Sequence, residues 1–362
     1  MKNPSIIISG GGTGGHIFPA IAIANEIKLR FPSSHILFVG AKDRMEMQRV
    51  PKAGYPIIGL WISGFQRKLS VSNLLFPVKL VWSMFKARSI LKKHKPNIVI
   101  GTGGFASAPL LKTANNLGIP TLIQEQNSYA GMTNKWVADK AQAICVAYDN
   151  MENYFPKEKI HFTGNPIRQS LLEQSLPKKE ALKNYQLDHT RKTILIIGGS
   201  LGARTINQTI EKYLDNFKTM NCNLIWQCGS FYYKEYKGLD TTNIRVLEFI
   251  DDMQIAYAAA DLIISRAGAG TVSELCLVGK PVLFIPSPNV AENHQYKNAM
   301  AIVKEKAGLC IEEKDIEKAF LPTITKLLKD TKEQEILGEN IKQLAKPHAT
   351  KDIVDLVEKL ML

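Results

Sequence analysis

The sequence predicts an α/β chain of two doubly wound domains, each a parallel sheet with helices on both faces. Three observations predict it. Apolar, β-branched runs alternate with stretches of helical period, the runs lead repeatedly into glycine-rich turns, and the alternation stops and starts afresh near residue 193. A length of 362 residues with 45% hydrophobic content gives enough chain for two ordinary cores.

In the first half, strands are expected over 5–9, 35–39, 97–100 and 121–123, with helices such as 19–30 and 78–93 between them. In the second half the runs at 193–197, 224–226, 262–264 and 282–285 repeat the pattern. The stretch "FTGNPIRQSLLEQSLPKKEALKNYQLDHTRKT" interrupts it with prolines and charge. We place the boundary near Asn165, giving domains 1–164 and 165–345. The amphipathic end, about 346–362, either extends the second domain or crosses back to the first.

Forty-six Lys/Arg against thirty-three Asp/Glu leave a net charge of +13. Residues 1–163 carry +12 of this, so one half is strongly basic. Such a half suits nucleic acid, an anionic membrane or a phosphorylated substrate, or serves solubility alone. Five scattered cysteines form no CxxC pair, which points to neither a zinc site nor a disulfide framework and fits a reducing cytoplasm. The first strand begins by about Ser5, so no secretory leader is expected.

Ligands of open parallel sheets bind beyond the carboxyl ends of the strands, and four glycine loops fall there: "GGGTGGH", "GTGGFASAP", "GGSLGAR" and "SRAGAGTVSE". The first contains GxGxxG, but "HILFVGAKDRME" puts no acidic residue at the end of the second strand, which weakens a nicotinamide reading. His16 and Ile17 stand where a phosphate loop of NTPases needs Lys and Ser/Thr. A nucleotide-sugar remains the strong candidate: oriented amides and an arginine stabilise its departing diphosphate without a metal. No compact acidic run suggests metal ligands, and Asp251-Asp252 reads as a helix N-cap. Glu274 suits a ribose or, equally, the dipole of its own helix.

Taken in order, "GGGTGGHIFPAIAIA", "QEQNSYAGMTNK", "TGNPIR", "GGSLGAR", "EFIDDM", "SRAGAGTVSE" and "ENHQYKNA" resemble the MurG family of bacterial cell-wall glycosyltransferases over nearly the whole chain. The resemblance implies the type B glycosyltransferase fold, two Rossmann-like domains facing across a cleft with the last helix returning to the first. It implies transfer of N-acetylglucosamine from UDP-N-acetylglucosamine to undecaprenyl-diphospho-N-acetylmuramoyl-pentapeptide, inverting and metal-independent, with no cofactor and no nucleic acid. Carried over by position, the donor-binding residues are Thr13, Gly14, Gly15, Asn127, Arg168, Ser200, Ile250, Ala269, Gly270, Thr271, Val272, Ser273, Glu274 and Gln295. The uracil falls to the backbone at Ile250, the ribose to Glu274, and the diphosphate to Ser200 and Arg168. Two departures stand out: Gln124 replaces the family's usual histidine, and Leu201 its usual glutamine.

Deprotonating the acceptor hydroxyl calls for a side chain that titrates near neutrality. His16, at the exit of the first glycine loop, is the best-placed base, with bracing the loop or binding the acceptor as the alternative. Glu125 is the rival base. The segment from Leu60 to Pro96 interleaves Leu74, Leu75, Phe76, Val78, Leu80, Val81, Trp82, Met84 and Phe85 with Lys79, Lys86, Arg88, Lys92 and Lys93 and is too interrupted to span a bilayer. It reads either as core or as a patch holding the enzyme peripherally to the anionic cytoplasmic leaflet of the inner membrane, where cell-wall assembly proteins are possible partners. A related transferase with another lipid acceptor, a nucleotide-sugar epimerase and a noncatalytic UDP-sugar-binding scaffold are the competing readings.

Overall fold

A computed structural model describes residues 3–64, 75–167, 171, 176–199 and 201–362. The chain divides into two compact units, Met1–Ile167 with Lys346–Leu362, and Arg168–Ala345.

The first unit contains strands β1 (Ser5–Ser9), β2 (His35–Ala41), β3 (Ile57–Leu60), β4 (Ile98–Gly101), β5 (Thr121–Glu125), β6 (Ala143–Val146) and β7 (Ile160–Phe162). They form one parallel sheet in the order β3-β2-β1-β4-β5-β6-β7. Both faces are covered, which is why the central strands read as unbroken apolar runs. Ile7, Val39, Val99, Ile123 and Ile144 pack on one face with Ala87, Ile90 and Leu91 of helix Phe76–His94. Ile6, Ile8, Phe38, Ile98 and Ile100 pack on the other with helix Gly14–Arg30 and with Ile353, Val354 and Val357 of the last helix, Ala349–Met361. Each such side chain contributes roughly 1.5–3 kcal/mol by leaving water. The C-terminal segment therefore belongs to the first core, and Arg30 ties it down at the surface through Asp355 and the Lys351 carbonyl.

Ser9 lies level with Val39 on one side and Gly101 on the other. The loops after β1, β2 and β4 thus leave from one edge, at the point where the strand order reverses between β1 and β4.

The second unit repeats the plan with β8 (Thr193–Ile197), β9 (Asn223–Gln227), β10 (Ile244–Leu247), β11 (Leu262–Ser265), β12 (Val282–Phe284) and β13 (Leu309–Cys310), in the order β10-β9-β8-β11-β12-β13. Its two sheet faces bury separate clusters, one around Leu195, Ile225, Ile263 and Phe284 and one around Ile196, Trp226, Ile264 and Phe320. The strand reversal falls between β8 and β11, whose following loops carry "GGSLGAR" and "SRAGAG". The predicted pair of doubly wound domains is the architecture found. β3, β6, β7, β10 and β13 extend the two sheets beyond the eight strands read from sequence.

Candidate active site

In the first unit, two glycine loops interlock beyond β1 and β4. A Cβ on Gly104 would stand 2.2 Å from the Gly11 carbonyl oxygen, and one on Gly10 would stand 1.9 Å from Thr102 Oγ1. Only glycine permits this approach. Thr102 Oγ1 donates to the His16 carbonyl at 2.8 Å, so the second loop also fixes the start of helix Gly14–Arg30.

That helix begins inside the glycine loop, ahead of the expected residue 19, because Thr13 in extended conformation serves as its N-cap. The cap supplies no side-chain hydrogen bond, and the first turn contains no acidic residue. The backbone N–H groups of Thr13, Gly14 and Gly15 meet no acceptor among the described residues. Gly12 differs, since its N–H is held by Glu46. The loop consequently offers three oriented donors at the positive end of a helix, a ready anion site.

His16 follows directly. Its Nδ1 lies 2.8 Å from Gln126 Oε1, and the imidazole is half-buried. Glu125, at the end of β5, is 1% exposed. Its Oε1 accepts from the backbone and side chain of Asn127 at 3.1 and 3.3 Å, and its Oε2 accepts from Gly131 N–H and Asn134 Nδ2, both at 2.9 Å. Four donors enclose this carboxylate. It shapes the segment that follows β5, and protonating it would sacrifice at least one of those bonds. Asn127 is thereby set beside Glu125 in the first unit.

In the second unit, helix Ala269–Val278 starts at Gly268 with no side-chain cap and no acid in its first turn. Val272 N–H returns to the Gly268 carbonyl at 2.9 Å, whereas those of Ala269, Gly270 and Thr271 find no acceptor among the described residues. Of the six residues from Ala269 to Glu274, three present backbone donors. Val272 is buried in the core, and Ser273 Oγ donates to the Ala269 carbonyl at 3.1 Å. Glu274 Oε2 accepts from the hydroxyl of Tyr257, a residue 3% exposed, at 3.2 Å. The side chain of Ile250 is core, but its backbone N–H and C=O form no hydrogen bond among the described residues, leaving one donor and one acceptor adjacent in the chain. Gln295 Oε1 accepts from Ser287 N–H at 2.9 Å, so its amide nitrogen is the end left to reach outward. Asp252 caps helix Met253–Ala259 by accepting from Gln254 and Ile255 N–H, as read from sequence. Arg168 and Ser200 lie outside the described residues.

Sequence reasoning missed Glu46, Thr102, Gln126 and Tyr257. For Gln126 the signal was available: it is a polar residue next to Glu125 at the carboxyl end of a buried strand. For Tyr257 there was none, because its contact to Glu274 depends on how two helices pack.

Residues 6–146 match the glycosyltransferase family 28 N-terminal domain, and residues 193–357 match the family 28 C-terminal domain. The chain is 58% identical over 356 residues to the UDP-N-acetylglucosamine--N-acetylmuramyl-(pentapeptide) pyrophosphoryl-undecaprenol N-acetylglucosamine transferase of Christiangramia forsetii, covering 98% of this chain and 97% of that protein. It is 56% identical over 362 residues to the same-named protein of Flavobacterium psychrophilum, covering 100% and 99%. The crystal structure of Acinetobacter baumannii MurG superposes with a TM-score of 0.81 at 29% identity, over 98% of this chain and 99% of that one. A Neisseria meningitidis UDP-GlcNAc 2-epimerase shares the fold, with a TM-score of 0.67 at 15% identity over 99% and 100% of the two chains. With both family domains present in order and full-length relatives above half identity, the chain belongs to glycosyltransferase family 28 and, within it, to the MurG family.

Proposed function

We propose that this chain transfers N-acetylglucosamine from UDP-N-acetylglucosamine to the muramoyl 4-hydroxyl of undecaprenyl-diphospho-N-acetylmuramoyl-pentapeptide in peptidoglycan synthesis. The activity for which the full-length relatives are named supports this reading. The observation that carries it in the structure is the set of unfilled backbone donors at two helix starts, Thr13 to Gly15 and Ala269 to Thr271. Two doubly wound units, each with such a start at its strand reversal, suit two diphosphate-bearing substrates.

In this reading the second unit holds the donor. The Ile250 backbone pairs with the uracil edge, Glu274 accepts from the ribose hydroxyls, and the start of helix Ala269–Val278 faces the diphosphate. Gln295 and Asn127 address the sugar, and Arg168 and Ser200 join the diphosphate on resemblance alone. The first unit holds the acceptor, whose diphosphate meets the start of helix Gly14–Arg30, in place of the donor role that the resemblance gives Thr13, Gly14 and Gly15. The 4-hydroxyl oxygen forms a bond to the anomeric carbon from the face opposite the diphosphate. The bond from that carbon to the phosphate oxygen breaks with its electron pair, UDP departs, and His16 Nε2 takes the hydroxyl proton. Oriented N–H groups stabilise the growing charge on UDP without reorganising. Glu125 serves as the brace of its loop, and His16 as the base.

The membrane reading also gains support. Among the described residues, no helix is long and apolar enough to cross a membrane. Helix Phe76–His94 buries Ser83, Ala87, Ile90 and Leu91, while Val78, Val81, Trp82 and Phe85, spaced i, i+3, i+4 and i+7, are 40–71% exposed. Core packing therefore uses the opposite face. Between Glu46 and Glu125 the chain has eleven Lys/Arg and no acidic residue. An apolar stripe rimmed by cations suits the anionic cytoplasmic leaflet, where the lipid acceptor resides. Acceptor-dependent transfer of labelled N-acetylglucosamine tests the proposal. Sugar release without acceptor would favour an epimerase, and donor binding without product a scaffold.

A further inference from the structure

His16 Nδ1 contacts the last member of a buried chain of three side-chain amides: Asn165, Gln124 and Gln126, respectively 2%, 0% and 1% exposed. Backbone carbonyls, which only accept, decide the orientation of each amide. Asn165 Nδ2 donates to the Gln126 carbonyl at 2.9 Å, so Asn165 Oδ1 faces Gln124 and accepts from its Nε2 at 2.9 Å. Gln124 Nε2 also donates to the Glu125 carbonyl at 3.2 Å, so Gln124 Oε1 faces Gln126 and accepts from its Nε2 at 2.5 Å. Gln126 Nε2 also lies 2.8 and 2.9 Å from the carbonyl oxygens of Thr102 and Gln124, so its two hydrogens are shared among three acceptors. Flipping any one amide would set a donor against a donor or an oxygen against a carbonyl. Gln126 must therefore present its oxygen to His16.

An amide oxygen cannot donate, so the hydrogen of the 2.8 Å contact resides on Nδ1. We infer that Gln126, locked by Gln124 and Asn165, is a positioning residue that holds neutral His16 as the Nδ1–H tautomer and leaves the Nε2 lone pair to receive the acceptor proton. Close packing supports the arrangement: a Cβ on Gly103 would lie 2.8 Å from Nδ1, so the ring edge bearing that nitrogen abuts backbone. Gln124, where the family usually has histidine, makes this an amide relay in the present chain. The catalytic half of the inference rests on His16 being the base, while the tautomer itself does not.

The test is long-range proton–nitrogen NMR of the full-length protein labelled with nitrogen-15 histidine, with the His16 signals assigned by their loss in His16→Ala. Above its titration, wild-type His16 should show a protonated Nδ1 and a bare Nε2. Gln126→Met should move the ring toward the Nε2–H form and lower kcat by at least about 100-fold, the low end of a positioned general base, with the donor KM within about twofold. A wild-type ring protonated on Nε2 would overturn the inference whatever the variants do. Unchanged kcat in Gln126→Met with a shifted tautomer would overturn the positioning role. Near-normal turnover in His16→Ala alongside a wild-type Nδ1–H ring would remove the base reading and the positioning role together, and the spectrum separates that failure from a failure of the relay.

Discussion

Glu46 Oε2 accepts the backbone N–H of Gly12 at 3.0 Å while Oε1 accepts that of Ala41, also at 3.0 Å, from a side chain with no solvent exposure. One carboxylate thus pins the first glycine loop to the end of β2. A Cβ on Gly11 would lie 2.2 Å from Oε1, so the loop's glycines make room for it. Glu46→Gln keeps the shape but sets an NH2 against one of two N–H donors. The substitution should cost about 1–3 kcal/mol in urea unfolding, the penalty of a buried unsatisfied group, and lower turnover through the displaced loop.

Tyr257 and Glu274 form the corresponding contact in the second unit. Tyr257→Phe removes one hydrogen bond of the carboxylate and should raise the donor KM about 2- to 10-fold with little change in kcat. Glu274→Ala removes the charged acceptor itself and should raise the donor KM about 10- to 100-fold. Steady-state titration of UDP-N-acetylglucosamine distinguishes the two. Equal, negligible effects would leave Glu274 as a dipole partner of its own helix.

Val81→Ser/Phe85→Ser removes the exposed stripe without touching the core face of helix Phe76–His94. Unfolding stability should change by no more than about 0.5 kcal/mol per site. Binding to vesicles containing anionic lipid should fall sharply, and neutralising Lys86, Lys92 and Lys93 with Gln should weaken it by about 1 kcal/mol per residue. Binding that ignores the anionic lipid fraction would contradict the cationic rim.

Lys280 donates from Nζ to the carbonyls of Tyr257, Ala258 and Ala260 at the end of helix Met253–Ala259, which carries Tyr257. Burial pushes its ammonium down to about 8, with nearby Lys178 acting the same way and Asp261 opposing. In the unfolded chain the group titrates at its ordinary value of 10.5. Between these values the unfolded state binds more protons, so the contribution of Lys280 to stability increases as pH rises through that window. The stability of wild type minus that of Lys280→Met should climb from pH 8 toward 10.5 by up to about 1.4 kcal/mol per pH unit. Buried Cys145 and Cys276, whose thiols burial pushes up to about 12, act oppositely as pH rises above 9, and the subtraction cancels them.

The central strands were legible because burial on both faces writes them as plain apolar runs: 5–9 and 193–197 are β1 and β8 to the residue. β3, β7 and β13 escaped because they are short edge strands with half-exposed residues. β6 escaped because "AICV" is too short to stand apart from a helix. The loop-to-helix transition at Thr13 was read late, since glycines that begin a helix look the same as glycines that bend a loop. At the candidate site, the glycine loop was visible from its spacing, whereas Thr13, Gly14 and Gly15 as binding residues rested on the family resemblance. The hydrogen-bond surroundings of Glu125 were not visible, because the Asn127, Gly131 and Asn134 donors converge on it only after the chain turns back.

The most direct measurement is transfer of labelled N-acetylglucosamine from its UDP-sugar by the purified protein, with a lipid-diphospho-muramoyl-pentapeptide acceptor, with EDTA present, and with the acceptor omitted in parallel. The expected result is a disaccharide-lipid product that requires the acceptor, survives EDTA and is lost in His16→Ala while donor binding persists. Donor bound tightly with no product formed, or sugar released equally without acceptor, would contradict it.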